Sequence, residues 1–240
     1  HEEKMVSLQD SITDLQNAMP GLRGLQTDFN SSNLHIGKIL IVAEQINFGY
    51  TSSSLWQFPM DIQVRSGDRI HISGNNGSGK TTLVKLLLGE LEPTAGTIMR
   101  TGFSYLYIDQ ECSVIDPRLT VFEQTERFNT GNWAEHELKS ILNRYLFPYD
   151  TWDKGCACLS GGEKIRLLFC CLMIGNNAPD VFILDEPTNN LDIQSVEIIT
   201  AAIKSYRGTV LLISHDHYFV KEIKINRSIK LFDTGSVIKI

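Results

Sequence analysis

The sequence predicts an α/β fold: short buried strands that carry a binding loop at their C-terminal ends, interrupted by a helical insert. Three observations predict it. Residues 181–184 and 210–214 are short apolar runs bounded by polar residues, the pattern of parallel strands covered on both faces. Gly74-Asn75-Asn76-Gly77-Ser78-Gly79-Lys80-Thr81 fits G-x-x-x-x-G-K-[ST] and falls between a predicted strand, 69–73, and a predicted helix, 81–88. The stretch from about 111 to 175 changes to helical texture.

Further strands are expected at 38–42, 62–64 and 104–108, and a hairpin at 229–232 and 236–240 around Asp233-Thr234-Gly235. In the insert, Thr120-Val121-Phe122-Glu123 and Asn132-Trp133-Ala134-Glu135 resemble capping boxes, in which a side chain at each end of the motif satisfies a free backbone N–H. Leu138, Ile141, Leu142, Tyr145 and Leu146 form a helical stripe closed by Pro148. Before the α/β body, Met5, Leu8, Ile12, Leu15 and Met19 recur at helical spacing until Pro20-Gly21. That helix is either the end of a longer coiled coil or a short amphipathic helix packed on its own domain. Residues 27–33 read as a linker, giving a helical tail at 1–35 and a domain at 36–240.

The chain has 240 residues, 42% apolar and 21% charged, which suits one domain or two subdomains and excludes disorder for the bulk of it. The longest apolar run, 167–174, is far short of the roughly 20 residues that span a bilayer, so no membrane segment is expected. His1-Glu2-Glu3 does not look like a secretion signal, and a sequence opening on His rather than Met suggests a cut end or the remnant of a tag. Net charge is −6, which does not by itself suggest nucleic acid. Residues 204–240 are locally basic, a face for an anionic partner or simply a solvated one. Five cysteines, including Cys156, Cys158, Cys170 and Cys171, fit no common zinc spacing and read as structural thiols in a reducing compartment, the cytoplasm.

The motifs carry specific chemistry. Glycines at 74, 77 and 79 let backbone N–H groups turn toward phosphate oxygens, and the next helix presents its positive end to them. Asn75, Asn76 and Ser78 complete the cradle. Lys80 is placed to reach the β and γ phosphates, Thr81 to bind Mg²⁺ through its hydroxyl, and Thr82 to reach the α phosphate. The run 181–184 delivers Asp185 and Glu186 to the C-terminal edge of a sheet, where ligands of open α/β sheets bind. Asp185 is placed to hold Mg²⁺, and Glu186 to activate water. Leu159-Ser160-Gly161-Gly162-Glu163 contains a further capping box, Ser160 to Glu163; capping does not explain the second glycine.

Together these motifs resemble the ABC ATPase family. Walker A lies at 74–81, the signature at 159–163, Walker B at 181–186 and a D-loop at Asn190-Leu191-Asp192. His215, past the strand 210–214, matches the switch histidine, and Gln110, past 104–108, matches the Q-loop that also touches the metal. Tyr50 matches the aromatic A-loop that stacks on adenine, although Phe48 is also aromatic and close. The resemblance covers about 36–240. It implies a P-loop NTPase fold of ABC type with a mixed β core, ATP and Mg²⁺ as ligands, and ATP hydrolysis. It also implies a second ABC domain, in the same protein or a second copy, whose Ser160, Gly161 and Gly162 would close the site.

Asp185-Glu186-Pro187-Thr188-Asn189-Asn190-Leu191-Asp192 is most similar to the ABC-F branch, with Asn190 in place of its usual His and His217 in place of an Arg. The helical tail resembles the end of the linker between the two ABC domains of that branch, which makes this chain resemble a second half. The branch implies action on the ribosome, in translation or antibiotic resistance. Two alternatives stand beside it: the ATPase subunit of a membrane transporter, and a clamp that binds ATP without hydrolysing it. A zinc-bearing DNA-repair ATPase would need larger insertions.

Overall fold

The computed structural model describes residues 34–50, 53–109, 111–175 and 178–232. The helical tail, Gln110 and the second strand of the expected hairpin lie outside them. Among the described residues, five strands form a parallel sheet. They are β3 (Arg69–Ser73), β5 (Tyr105–Ile108), β6 (Val181–Asp185), β7 (Thr209–Ile213) and β8 (Arg227–Lys230), in the order β5-β6-β7-β3-β8. Three others form an antiparallel sheet with β1 (Ile39–Asn47) between β2 (Met60–Arg65) and β4 (Ala95–Arg100).

Strand alternation divides the parallel sheet between two cores. Val181, Ile183, Leu211, Ile213, Ile70 and Ile72 point into one, shared with the antiparallel sheet and with α1 (Lys80–Leu88). Phe182, Leu184, Val210 and Leu212 point into the other, shared with α4 (Gly161–Gly175), α5 (Ile193–Ser205) and α6 (His217–Glu222). Two covered faces are the reason β6 and β7 read as unbroken apolar runs. The insert adds α2 (Val121–Arg127) and α3 (Glu135–Arg144). Leu138, Ile141, Leu142 and Tyr145 are buried in the second core, so the insert shares the core of the body.

Two expectations need correction, and one strand was not foreseen. The box at Asn132 is displaced: Asn132 has φ 55°, and the helix is capped at Ala134, whose N–H donates to Glu137 Oε2 at 2.8 Å. The boxes at Thr120 and Ser160 form as read. β8 begins two residues early and pairs in parallel with β3. β4 was not foreseen, because it is an edge strand with little burial and no apolar alternation. It is held by a bulge: β1 shifts register around Gln45 (φ 49°), and Gly96 packs there so closely that a Cβ would fall on the Glu44 and Gln45 carbonyls. Of the thiols, Cys112, Cys156, Cys170 and Cys171 are buried and Cys158 is exposed. Burial pushes Cys112 up to about 12 and Cys156 up to about 11, so both stay protonated and inert.

Arg69, at the start of β3, fastens the sheet to its helices. Its guanidinium donates to the carbonyls of Ile203 (3.0 Å) and Tyr206 at the end of α5 and of Ile223 (2.7 Å) at the end of α6. These are helix-terminal oxygens with no partner within their own helices. Burial lowers the Arg69 pKa from its ordinary value, offset in part by Tyr206, yet arginine remains charged at any working pH. Replacing Arg69 by Met should cost about 2–4 kcal/mol, because three acceptors lose a charged donor at once. Urea unfolding of the two proteins measures it; a loss below about 0.5 kcal/mol would contradict this role.

Candidate active site

The C-terminal ends of β6, β7 and β3 are neighbours, so the segments leaving these strands meet at one edge. From β3 comes the loop 74–79. Gly74, Gly77 and Gly79 all have positive φ, and a Cβ on Gly79 would lie 2.5 Å from Leu55 Cδ2. Trp56 is buried beside them and donates its indole N–H to the Ser78 carbonyl at 3.0 Å, which ties the loop to the segment before β2. Sequence reading missed Trp56, because a tryptophan outside any motif gives no local sign of what its N–H reaches. Asn75, Asn76 and Gly77 are exposed at the loop tip.

Several features suit phosphate. α1 begins at Lys80 with no side-chain cap and no acid in its first turn, so its leading N–H groups are left for a ligand. Ser78 Oγ is buried without a hydrogen-bond partner. Nothing lies within 4 Å of a Cβ built on Gly77. Lys80 Nζ donates to the carbonyls of Gly74 (2.8 Å) and Asn75 (3.0 Å), closing over the loop itself. It must exchange these bonds to reach a phosphate.

From β6 come the carboxylates. Asp185 Oδ2 accepts from Thr81 Oγ1 at 3.2 Å and from the Tyr107 hydroxyl at 2.6 Å. A carboxylate and a hydroxyl side by side are the hard oxygen donors that Mg²⁺ takes. Burial, then the bond to Asp185, raises the Tyr107 pKa well above the usual phenol range, so it is a donor. Glu186 has φ 51°, a strained conformation for a non-glycine residue, held by its N–H on the Ile213 carbonyl at 2.8 Å. The turn swings its side chain toward the end of β7. There Oε2 accepts the His215 backbone N–H at 3.2 Å, and Oε1 lies 3.4 Å from His215 Nε2. Glu186 is 9% exposed, whereas the His215 side chain opens to solvent.

Tyr50 reaches the first turn of α1. Its hydroxyl is 3.0 Å from Thr82 Oγ1 and its ring, 70% exposed, leans edge-on against Phe48. Phe48 is buried, which leaves Tyr50 as the aromatic face open to a base. Gln110 lies outside the described residues.

The signature sits elsewhere. Ser160 and Gly161 are exposed at the start of α4, while Gly162 is buried against the D-loop. A Cβ on Gly162 would meet Ser195 Oγ at 2.6 Å and Asp192 Oδ2 at 2.9 Å. Those two residues make the cap of α5, Asp192 Oδ1 accepting from Ser195 N–H at 2.8 Å. The second glycine is therefore a requirement of close packing. Glu163, within the cap, is pushed up by burial, but the Ser160 N–H and the Lys154 ammonium at 2.9 Å outweigh this and leave its pKa lowered.

The family model described as ABC transporter matches residues 58–189, more than half of the chain. The chain belongs to the ABC transporter family. It is an ABC ATPase domain, and two members of the ABC transporter F family are among the curated proteins it resembles. It is 38% identical over 200 residues to ABC transporter F family member 5 of Arabidopsis thaliana, covering 82% of this chain and 28% of that protein. It is 37% identical over 188 residues to the ATP-binding protein Uup of Escherichia coli, covering 77% of this chain and 29% of that one. The ABC domain thus spans about three tenths of these relatives' length. Among solved structures, an ATP-binding cassette dimer in a post-hydrolysis state with ADP and phosphate bound superposes with TM-score 0.62 at 18% identity, over 83% of this chain and 98% of that one. A bacterial Atm1-family ABC exporter with ATP bound gives 0.63 at 18%, over 84% of this chain and 39% of that one. These two show the shared fold.

The packing of the two signature glycines separates them. Gly162→Ala should cost about 1–3 kcal/mol by forcing α4 away from the α5 cap. Gly161→Ala, with nothing nearer its Cβ than 3.8 Å, should leave stability unchanged. Thermal unfolding of both variants checks this; equal midpoints would refute the packing argument.

Proposed function

We propose that this chain is the second ATPase domain of a cytoplasmic ABC-F protein that acts on the ribosome, and that its site closes against another ABC domain. The observation that carries the hydrolytic part is the Glu186–His215 pair, set beside Thr81 and Asp185 at one sheet edge. In this reading Tyr50 stacks on adenine, and the loop from Gly74 to Gly79, with Lys80 and Thr82, binds the phosphates. Thr81, Asp185 and Gln110 would hold Mg²⁺, which would supply charge neutralisation at the phosphates. Glu186, nearly buried and aimed by the His215 N–H, takes the proton of the attacking water. His215 contacts the γ phosphate from its solvent-facing position. A clamp that only binds ATP would have no need of this pair.

The case for a second domain rests on where the signature lies. Ser160 and Gly161 face solvent above Gly162, which packs on the D-loop, so the leading end of the signature is presented outward. A facing ABC domain would lend its own signature to this loop and receive this one. The ribosome reading rests on the kind of relatives the chain has and on the run from Asp185 to Asp192. Among the described residues no helix is long and apolar enough to cross a membrane.

Glu186→Gln should retain nucleotide binding while hydrolysis falls roughly 10²-fold or more, and Lys80→Ala should weaken binding itself. Fluorescent-nucleotide titration and phosphate release measure the two; near-normal turnover by Glu186→Gln would remove Glu186 from the role of base.

The partner is tested on the full-length parent carrying Glu→Gln in both Walker B motifs. It should co-sediment with ribosomes in ATP and much less in ADP, and rising salt should weaken the association through lost phosphate contacts. Recovery with membranes, bound to a permease, would replace the ribosome by a transporter.

A further inference from the structure

We propose that Tyr107 is a positioning residue for the metal site, fixing the Asp185 carboxylate through a hydrogen bond that no part of the motif pattern assigns. The inference rests on the reading of Asp185 as a Mg²⁺-holding group. Tyr107 lies on β5, with Ile183 as its register partner on the adjoining β6. Its ring packs against the core between the two sheets, where strand alternation places it. Its hydroxyl emerges at the C-terminal edge and donates to Asp185 Oδ2 at 2.6 Å.

Asp185 Oδ2 has two donors, and they are not equivalent. The Thr81 bond is longer, at 3.2 Å, and the same Thr81 oxygen has a second duty: it must offer a lone pair to the ion. The phenol has no such duty. It can keep hold of the carboxylate whether or not the ion is bound, so the group is already oriented when the ion arrives. Groups behind a ligand commonly matter this way, because a carboxylate free to rotate loses affinity each time it must be frozen. The arrangement also spans two strands, so the orientation of a residue on β6 is set by one on β5. β5 is the strand that leads directly to Gln110.

The experiment is a Mn²⁺ titration of the full chain with a non-hydrolysable ATP analogue, read by the free-ion paramagnetic resonance signal. Tyr107→Phe keeps the ring and removes only the hydroxyl. It should weaken Mn²⁺ roughly ten-fold, leave metal-free nucleotide binding unchanged, and have its hydrolysis restored by added Mg²⁺. Asp185→Asn should weaken Mn²⁺ on its own, and the double variant should bind no more weakly than Asp185→Asn. Mn²⁺ bound by Tyr107→Phe as tightly as by the native chain, or more tightly, overturns the proposal, as does full additivity in the double variant. If Asp185→Asn leaves Mn²⁺ binding unchanged, the metal role of Asp185 falls first and the proposal with it. If only Tyr107→Phe is without effect, the metal site stands and the positioning role alone is lost.

Discussion

Polar side chains are costly along central strands of a parallel sheet covered on both faces. β6 and β7 bury every residue they carry except Asp185 at the very end of β6, and their polar side chains, Thr209 and Asp185, stand at strand ends. Polar chemistry is thereby confined to the strand ends, where one edge also collects the N-terminus of α1. The rest of the structure depends on this confinement. It puts Asp185 and Glu186 at the end of β6, Ser214 and His215 after β7 and the phosphate loop after β3, in three adjacent positions. The two cores that enforce it are built by strand alternation, each buried Leu, Ile or Phe side chain contributing about 1.5–3 kcal/mol.

The edge holds its groups under constraint. Glu186 occupies a left-handed conformation that favours glycine, yet its N–H, its carboxylate and the chain of β7 hold it there. The strain, on the order of 1–3 kcal/mol, is offset by the surrounding packing, and the result is a carboxylate aimed at the end of β7. Lys80 shows the opposite arrangement. Its ammonium rests on the loop's own carbonyls, a store of hydrogen bonds that can be exchanged for a phosphate without leaving a buried charge unpaired.

A second constraint links sites that the chain separates. Gly162 lets α4 touch the cap of α5, so the signature and the D-loop form one packed unit. A shift of either must move the other, since interiors at this density do not absorb a displaced methyl group. Arg69 does similar work at the opposite end of the sheet, where one side chain terminates two helices.

The phosphate loop, the strand that delivers Asp185 and Glu186, and the Ser160 cap were legible in the sequence, because each is set by neighbours within a few residues. Spacing of glycines, runs of apolar residues and reciprocal capping are local physics. β4 and the cap at Ala134 were not legible, since a bulge in β1 holds the one and the other won against an equally plausible Asn132. Gly162 was visible as a glycine that capping could not explain, but its reason lies at the cap of α5, about thirty residues along the chain. Tyr107 and Trp56 carried no sign in the sequence. Only the pairing of β5 with β6 brings a phenol to Asp185, and only the packing of the segment before β2 brings an indole to Ser78. The sequence alone pointed to the groups proposed to bind and react, because residue type and short spacing are enough to single them out. The tertiary structure decided what holds them in place, because hydrogen bonds between distant strands leave no periodic trace in the chain.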